Sequence, residues 1–215
     1  PRTSLTLPFW RSALGPLRTV VVVRNPLEVV TSLHRRNGFS IALGKTLSGR
    51  FLILDTHDHE TSEIYLIDAA QPDSAPFVVE PRSPGHEYSV DHHGDRLFIN
   101  TNSAGAEDFR ICEAPVASPG LAHWKEVVPH RPGRLILDTS VFKQHMVRLE
   151  REDSLPRIVI RTLADGSEHA IAFDEEAYAL GMSEGYEFDT STLRIVYSSM
   201  TTPTERRSAI IRESW

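Results

Sequence analysis

Short runs of apolar and β-branched residues, separated by turn residues, fill the chain from Phe39 onward. The most apolar run of each unit is anchored by Phe51, Leu97, Met146 and Leu193, which follow one another at spacings of 46, 49 and 47 residues. A repeat of short strands at this period is typical of the blades of a β-propeller. The pattern therefore predicts a mainly β chain that forms about three to four blades.

Further strands and turns fit between these anchors. Ser48-Gly49, His93-Gly94-Asp95 and Asp165-Gly166 are turn signals, and they separate runs of strand length. The partner strands predicted within the units are Glu63–Ile67, Phe109–Glu113, Arg157–Thr162 and His169–Phe173.

The first forty residues follow a different pattern. Thr19–Val23 is a continuous β-branched run, as expected for a strand buried on both faces. Asn25 and Pro26 then have the residue types of a helix N-cap and first helical position, and Gly38 is a stop signal. This segment predicts a short α/β strand–helix unit ahead of the blades.

Charge marks the same division of the chain. Residues 1–40 carry six arginines and one acid, whereas the whole chain has a net charge of −6. A shift of this size places a boundary near residues 38–45. We divide the chain into residues 1–40, the propeller segment 41–203 and a divergent tail, 204–215. The acidic remainder argues against nucleic acid as a partner, because phosphate contacts need clustered lysine and arginine.

The remaining composition predicts a cytoplasmic protein. Cys112 is the single cysteine, which excludes an internal disulfide framework and favours a reducing compartment. We expect it to be a small buried apolar residue rather than a nucleophile. The longest apolar run is too short to cross a bilayer and no signal peptide is visible, so we expect no membrane partner.

Several sequence blocks resemble one known family, in the same order along the chain. The blocks are His59–Glu63, Thr101–Ala106, Val128–Arg131, His169–Glu175 and Tyr186–Pro203. They are similar to the β-propeller of oligopeptidase B, a serine peptidase of the prolyl oligopeptidase family. The resemblance implies a seven-bladed ring that covers an α/β-hydrolase domain and admits short peptides, which the family cleaves after Arg or Lys. The hydrolase domain that carries the serine, aspartate and histidine of that family has no counterpart in these 215 residues.

The N-terminal segment, residues 1–39, resembles part of a bacterial sulfotransferase. In that family an arginine at a strand end and a serine in the next helix hold a phosphate of the sulfuryl donor. The resemblance maps these roles to Arg24 and Ser32 as a vestigial phosphate-binding pair. The glycine-rich phosphate loop of that family is missing, so we expect no sulfuryl transfer and no bound cofactor.

One motif in the chain has the literal form of a serine nucleophile elbow. Gly181-Met182-Ser183-Glu184-Gly185 matches G-x-S-x-G, which requires a strand before the serine and a helix after it. Here another predicted strand follows, and no histidine lies downstream to complete the order of a triad. We therefore interpret Ser183 as a turn residue and expect no catalytic residue in this chain.

Two clusters of histidines and acids are candidate metal-binding sites. His57–Glu60 and Asp91–His93 contain metal-ligand types but lack a second pair at zinc spacing. We expect these histidines to face solvent or stabilise turns, and we expect no metal. Glu150–Asp153 and Asp174–Glu176 are predicted to be solvated loop charges.

The main hypothesis is thus a substrate-gating propeller segment of an oligopeptidase B-like peptidase, inactive by itself. Its implied partners are short basic peptides and the α/β-hydrolase domain. One alternative is a non-enzymatic binding module for a protein or peptide, and another is a sulfotransferase remnant with weak phosphonucleotide affinity. Because an incomplete ring leaves strand edges unpaired, we also expect self-association through those edges.

Overall fold

The computed structural model describes residues 40–183 and 187–211, with only the backbone described for Ile210. The described residues form four antiparallel sheets that follow one another along the chain. Each sheet is a meander, in which every strand pairs with its neighbour in sequence. The predicted strand and helix between Thr19 and Gly38 lie outside the described residues.

The first two sheets have four strands each. Blade 1 contains β1 (Ser40–Lys45), β2 (Phe51–His57), β3 (Ser62–Asp68) and β4 (Phe77–Val78). Blade 2 contains β5 (Tyr88–His93), β6 (Arg96–Thr101), β7 (Arg110–Pro115) and β8 (Lys125–Val128). The connections include two short 3-10 turns, Ser103–Gly105 and Leu121–His123.

Blade 3 contains β9 (Arg134–Val141), β10 (His145–Glu152), β11 (Leu155–Thr162) and β12 (Glu168–Ala170). Blade 4 has three strands in the described residues, β13 (Tyr178–Met182), β14 (Thr192–Ser199) and β15 (Glu205–Ile210). The four anchors of the sequence repeat fall in β2, β6, β10 and β14, the second strand of every blade. The prediction of three to four blade-like sheets is therefore confirmed.

Two boundaries differ from the sequence-based division. Residues 40–45, placed at the junction between unlike segments, form β1 and pair with β2 along its whole length. The tail assigned to residues 204–215 contains β15, which pairs with β14. Ala209 and Ile211 there are buried, at 5% and 0% exposure, against the core of blades 3 and 4. This burial explains why a segment with three charged residues is held as a strand.

Three apolar cores hold the blades face to face. One core joins blades 1 and 2 through residues such as Phe51 and Leu97, and a second joins blades 2 and 3 through Phe98 and Met146. The third joins blades 3 and 4 and includes Val147. Neighbouring residues in β6 and β10 thus enter different cores, because successive side chains of a strand point to opposite faces. Each second strand consequently contains a run of apolar residues whose side chains enter the cores on both sides of the blade.

Tyr88 adds a polar link between the first two blades. Its hydroxyl donates to the Glu80 carbonyl at 2.6 Å and accepts from the Ile64 amide at 2.9 Å. The ring is buried beside His86 and Trp124. Burial raises the pKa of the Tyr88 hydroxyl, so it remains a protonated donor at neutral pH. Cys112 is buried as predicted.

Candidate functional site

The first strands of the blades converge around Asp91, near the end of β5. The Asp91 carboxylate accepts hydrogen bonds through Oδ1 from the Leu47 amide at 3.3 Å and the His92 amide at 2.8 Å. Its Oδ2 accepts from the Val141 amide at 2.8 Å. Leu47 follows β1 in blade 1 and Val141 ends β9 in blade 3. One carboxylate therefore binds the backbones of three consecutive blades.

The two histidines that follow extend these contacts. The His92 ring is buried between blades, where Nδ1 is hydrogen-bonded to the Ser48 hydroxyl at 2.8 Å and the ring meets Phe51 edge-on. His93 donates from Nε2 to the Lys143 carbonyl at 2.8 Å and lies against Phe188. The solvent-facing interpretation is thus wrong for His92, which is buried in the interface between blades 1 and 2 and hydrogen-bonds to Ser48 in the β1–β2 turn.

Lys143, which accepts the hydrogen bond from His93, also contacts blade 4. Its amide donates to the Phe188 carbonyl at 3.0 Å, and its ammonium pairs with Asp189 at 2.7 Å. Phe188 and Asp189 lie between β13 and β14. Asp91–His93, which we call the junction tripeptide, therefore contacts blades 1 and 3 directly and blade 4 through Phe188.

Burial changes the pKa values of two residues in the junction tripeptide, Asp91 and His92. The pKa of Asp91 is raised to about 6: desolvation is the main cause and the charge of Asp138 a smaller one, and together they outweigh the three amide hydrogen bonds, which lower it. Burial lowers the pKa of His92, so the ring is neutral at pH 7. Asp91 at that pH is an anion held by neutral N–H donors. The three hydrogen bonds to the Asp91 carboxylate form together only when blades 1, 2 and 3 have this relative placement.

The other predicted site residues are dispersed. Arg24 and Ser32, the vestigial phosphate-binding pair, lie outside the described residues. Ser183 follows β13, and its amide donates to the Arg194 carbonyl across the β13–β14 pair. The antiparallel return into β14 differs from the strand–helix turn of a nucleophile elbow. His57 pairs with Asp55 at 3.3 Å, whereas His59 is exposed in the β2–β3 turn.

Metal ligands are not gathered in one place. Across residues 40–183 and 187–211, no three or more His, Cys, Asp or Glu side chains are close enough to hold a metal ion. In the same part of the chain, no helix has the length and apolar content needed to span a bilayer.

The acidic run 150–153 was predicted to be solvated, and this prediction is wrong for Glu150. Glu150 lies in β10 and is 0% exposed. Arg148 Nε is 2.8 Å from one of its carboxylate oxygens, and Arg157 is 2.6 Å from the other. Burial alone would raise the pKa of Glu150, but hydrogen bonds from both arginines hold it below its ordinary value. Arg148 also forms two hydrogen bonds with Glu168 at 2.9 and 2.7 Å.

Sequence reasoning also missed a group of polar residues beside the junction. Asn100, Asp138 and Thr139 line a cleft between blades 1, 2 and 3, together with Lys45 and Asp91. Asn100 is the polar position in the otherwise apolar run Leu97–Asn100. Its place directly after three buried apolar residues was the available signal.

Comparisons with known proteins agree with this architecture. Residues 28–206 match the family described as prolyl oligopeptidase, N-terminal beta-propeller domain. The chain is 36% identical over 168 residues to dipeptidyl aminopeptidase BI of Pseudoxanthomonas mexicana, covering 78% of this chain and 23% of that protein. It is 30% identical over 165 residues to protease 2 of Moraxella lacunata, covering 77% and 23%. The chain thus spans about a quarter of the length of these relatives.

Among solved structures, oligopeptidase B from Leishmania major has a TM-score of 0.76 to this chain at 25% identity, covering 82% of this chain and 26% of that one. The chain belongs to the prolyl oligopeptidase family, of which it contains N-terminal β-propeller blades. The matched region begins at residue 28 and includes Ser32, so it overlaps the segment that resembled a sulfotransferase. The comparisons give no support to that second resemblance.

The raised pKa of Asp91 predicts a specific pH dependence of stability. The folded state binds the Asp91 proton more tightly than the unfolded state, whose pKa is near 3.8. The stability that Asp91 contributes is therefore full below pH 3.8 and is lost as the pH rises through about 6.

We expect the free energy of unfolding of the wild type, relative to Asp91→Asn, to increase by roughly 2–3 kcal/mol between pH 7 and pH 4. Urea unfolding at several pH values measures this difference. His92 acts in the opposite direction in both proteins and cancels in the comparison. A difference independent of pH would contradict the prediction.

Removal of Arg148 should be strongly destabilising. Arg148→Ala leaves the Glu150 carboxylate buried without one of its partners, which costs about 3–5 kcal/mol of unfolding free energy. The matched control is Arg50→Ala, because Arg50 pairs with Asp68 at 2.8 Å but its side chain is 51% exposed. An exposed pair is worth about 0–1 kcal/mol. Equal losses in the two variants by urea unfolding would show that burial of the pair is unimportant.

Proposed function

We propose that these blades are the substrate-gating part of an oligopeptidase B-like serine peptidase. In this proposal the propeller covers the active site of an α/β-hydrolase domain and admits short peptides, which are hydrolysed after Arg or Lys. The observation that supports it is the series of four antiparallel blades, which is structurally similar to part of oligopeptidase B from Leishmania major. The proposed partners are the hydrolase domain and short basic peptides, and the proposed location is the cytoplasm.

The proposal includes the expectation that the chain alone does not hydrolyse peptides. Ser183 is the residue of the literal elbow motif, and it continues an antiparallel strand pair. Incubation of the purified chain with an arginine-containing fluorogenic dipeptide should give no turnover, and an active-site serine probe should not label Ser183. Turnover that Ser183→Ala abolishes would contradict this expectation.

Gating itself is testable by exchange of blades. In a chimera, residues 40–211 replace the structurally matching blades of L. major oligopeptidase B. We expect the chimera to cleave a short arginine-containing peptide and to leave a long unfolded protein, such as casein, intact. A point variant of the chimera with the exposed Leu121→Ala exchange is the matched control for assembly. A chimera that cleaves both substrates at comparable rates would contradict gating.

A second candidate is a binding module that acts through its outer sheets. Within the described ranges, β1 pairs on one side only, with β2, and its Leu43 is 78% exposed. Met200, after β14, is 93% exposed. An unpaired edge with an apolar side chain favours strand addition by another chain. Concentration-dependent sedimentation that Leu43→Lys abolishes would favour this candidate, whereas a monomer at all concentrations would count against it.

A further inference from the structure

An open cleft of about 380 Å³ lies between blades 3 and 4, beside the apolar core that joins them. We call it the outer cleft. One wall is the segment 171–174, which follows β12, and the other is formed by Arg207, Ser208 and Ala209 of β15. Ile195 of β14 also lines the cleft. Its inner surface is therefore made largely of apolar side chains that belong to both blades.

The outer cleft extends around a strand edge. Ser208 and Ala209 are successive residues of β15, so their side chains point to opposite faces of the sheet. Both line the cleft, which places it at the edge of β15. Within residues 40–183 and 187–211, β15 pairs with β14 only. Blades 1, 2 and 3 each have a fourth strand at the corresponding edge, namely β4, β8 and β12.

Both walls of the outer cleft have counterparts between blades 1 and 2. Val79 is the first residue after β4, and Ile171 is the first residue after β12. Each donates its amide to a carbonyl of the third strand in its own blade, at 2.9 and 3.0 Å. Ala114 of β7 and Ala209 of β15 each pair with the anchor residue of their blade. Val79 and Ala114 thus have the repeat positions of Ile171 and Ala209, and each pair is buried in the core between its two blades.

A tryptophan packs at that place between blades 1 and 2. Trp124, immediately before β8, lies against the core that contains Val79 and Ala114. The segment that carries Trp124 is held to blade 1, because the Leu121 amide donates to the Glu80 carboxylate at 2.7 Å. At this interface, an indole from the chain that follows the third strand therefore covers the core between the two blades.

We propose that the indole of Trp215 occupies the outer cleft of its own molecule and covers the core between blades 3 and 4. Residues 212–215 lie outside the described residues and follow Ile211, which is buried in that core. Four residues reach at most about 13–14 Å, and a turn of three residues is enough to reverse the chain. Such a turn places Trp215 opposite Ile211, on the face of β15 that Ala209 shares. The tail then covers an edge that would otherwise favour strand addition by another chain.

The polar groups of the outer cleft are compatible with an indole. The Arg207 guanidinium already lies over the Tyr197 ring, 3.8 Å from its centroid, and pairs with Glu205 at 2.6 Å. Ser208 and Asp174 are exposed, so their side-chain oxygens are at the rim rather than in the core. An indole has an apolar body and one N–H donor, and it needs an acceptor only at its edge. Apolar side chains inside and oxygen acceptors at the rim match that distribution.

The test uses the full chain with ¹³C-labelled alanine and isoleucine methyl groups. We expect nuclear Overhauser effects from the Trp215 indole to the methyl groups of Ile195 and Ala209, and we expect Trp215→Leu to remove them. Absence of both effects in the wild type would overturn the proposal. A second sample mixes methyl-labelled Trp215→Leu chains with unlabelled wild type. Effects in this mixture would come from a second copy and would contradict docking within one molecule.

A substitution in the cleft wall separates docking from a general effect of the tail. Ala172→Glu places a carboxylate at the exposed rim and should remove the contacts of the indole. The Ile211 amide, which donates to the Ser191 carbonyl at 2.8 Å, should then exchange at least about tenfold faster, as expected when one aromatic side chain loses its burial. Ala177→Glu is the matched control, because it makes the same change at an exposed alanine of the same connection, outside the cleft lining.

Equal effects of Ala172→Glu and Ala177→Glu would contradict a site in the outer cleft. Unchanged contacts and unchanged exchange of the Ile211 amide in Ala172→Glu would do the same. Both variants keep Trp215, so they keep the test decisive if Trp215→Leu aggregates.

Discussion

The hydrogen bonds that Asp91 accepts from three blades are the contact on which the relative placement of those blades depends. Strand pairing inside a blade fixes nothing about its neighbours, because each sheet is a separate meander. The apolar cores join the blade faces, but apolar contact is non-directional. A carboxylate that must meet the amides of Leu47 and Val141 at once is directional, and it sets where the inner ends of blades 1 and 3 lie.

Burial of a charge at this point has consequences for the surrounding residues. The carboxylate is desolvated, so its pKa rises, and the neighbouring Asp138 raises it further. The same convergence of first strands that satisfies Asp91 leaves the Asn100 amide oxygen without a partner.

Much of the blade architecture was predictable because its signals are local in sequence. Central strands are buried on both faces, so Leu97, Phe98 and Ile99 are all apolar, and this run recurs with the blade period. β15 was missed because its charged residues outweigh Ala209 in the sequence pattern, and the burial of Ala209 and the following Ile211 depends on the core between blades 3 and 4. His92 and Glu150 were misread for a related reason. Their partners lie across an interface or on adjoining strands, and the sequence does not show which polar residues will be enclosed there.

Amide hydrogen exchange of Asp91→Ala, compared with the wild type, tests the central claim most directly. The account predicts that the Leu47 and Val141 amides, which lie in different blades, both exchange at least about tenfold faster in the variant, as expected for the loss of a hydrogen bond to a charged acceptor. Amides within the β6–β7 pair should keep their protection. Unchanged protection at Leu47 and Val141, or a uniform loss over all four sheets, would contradict the role assigned to Asp91.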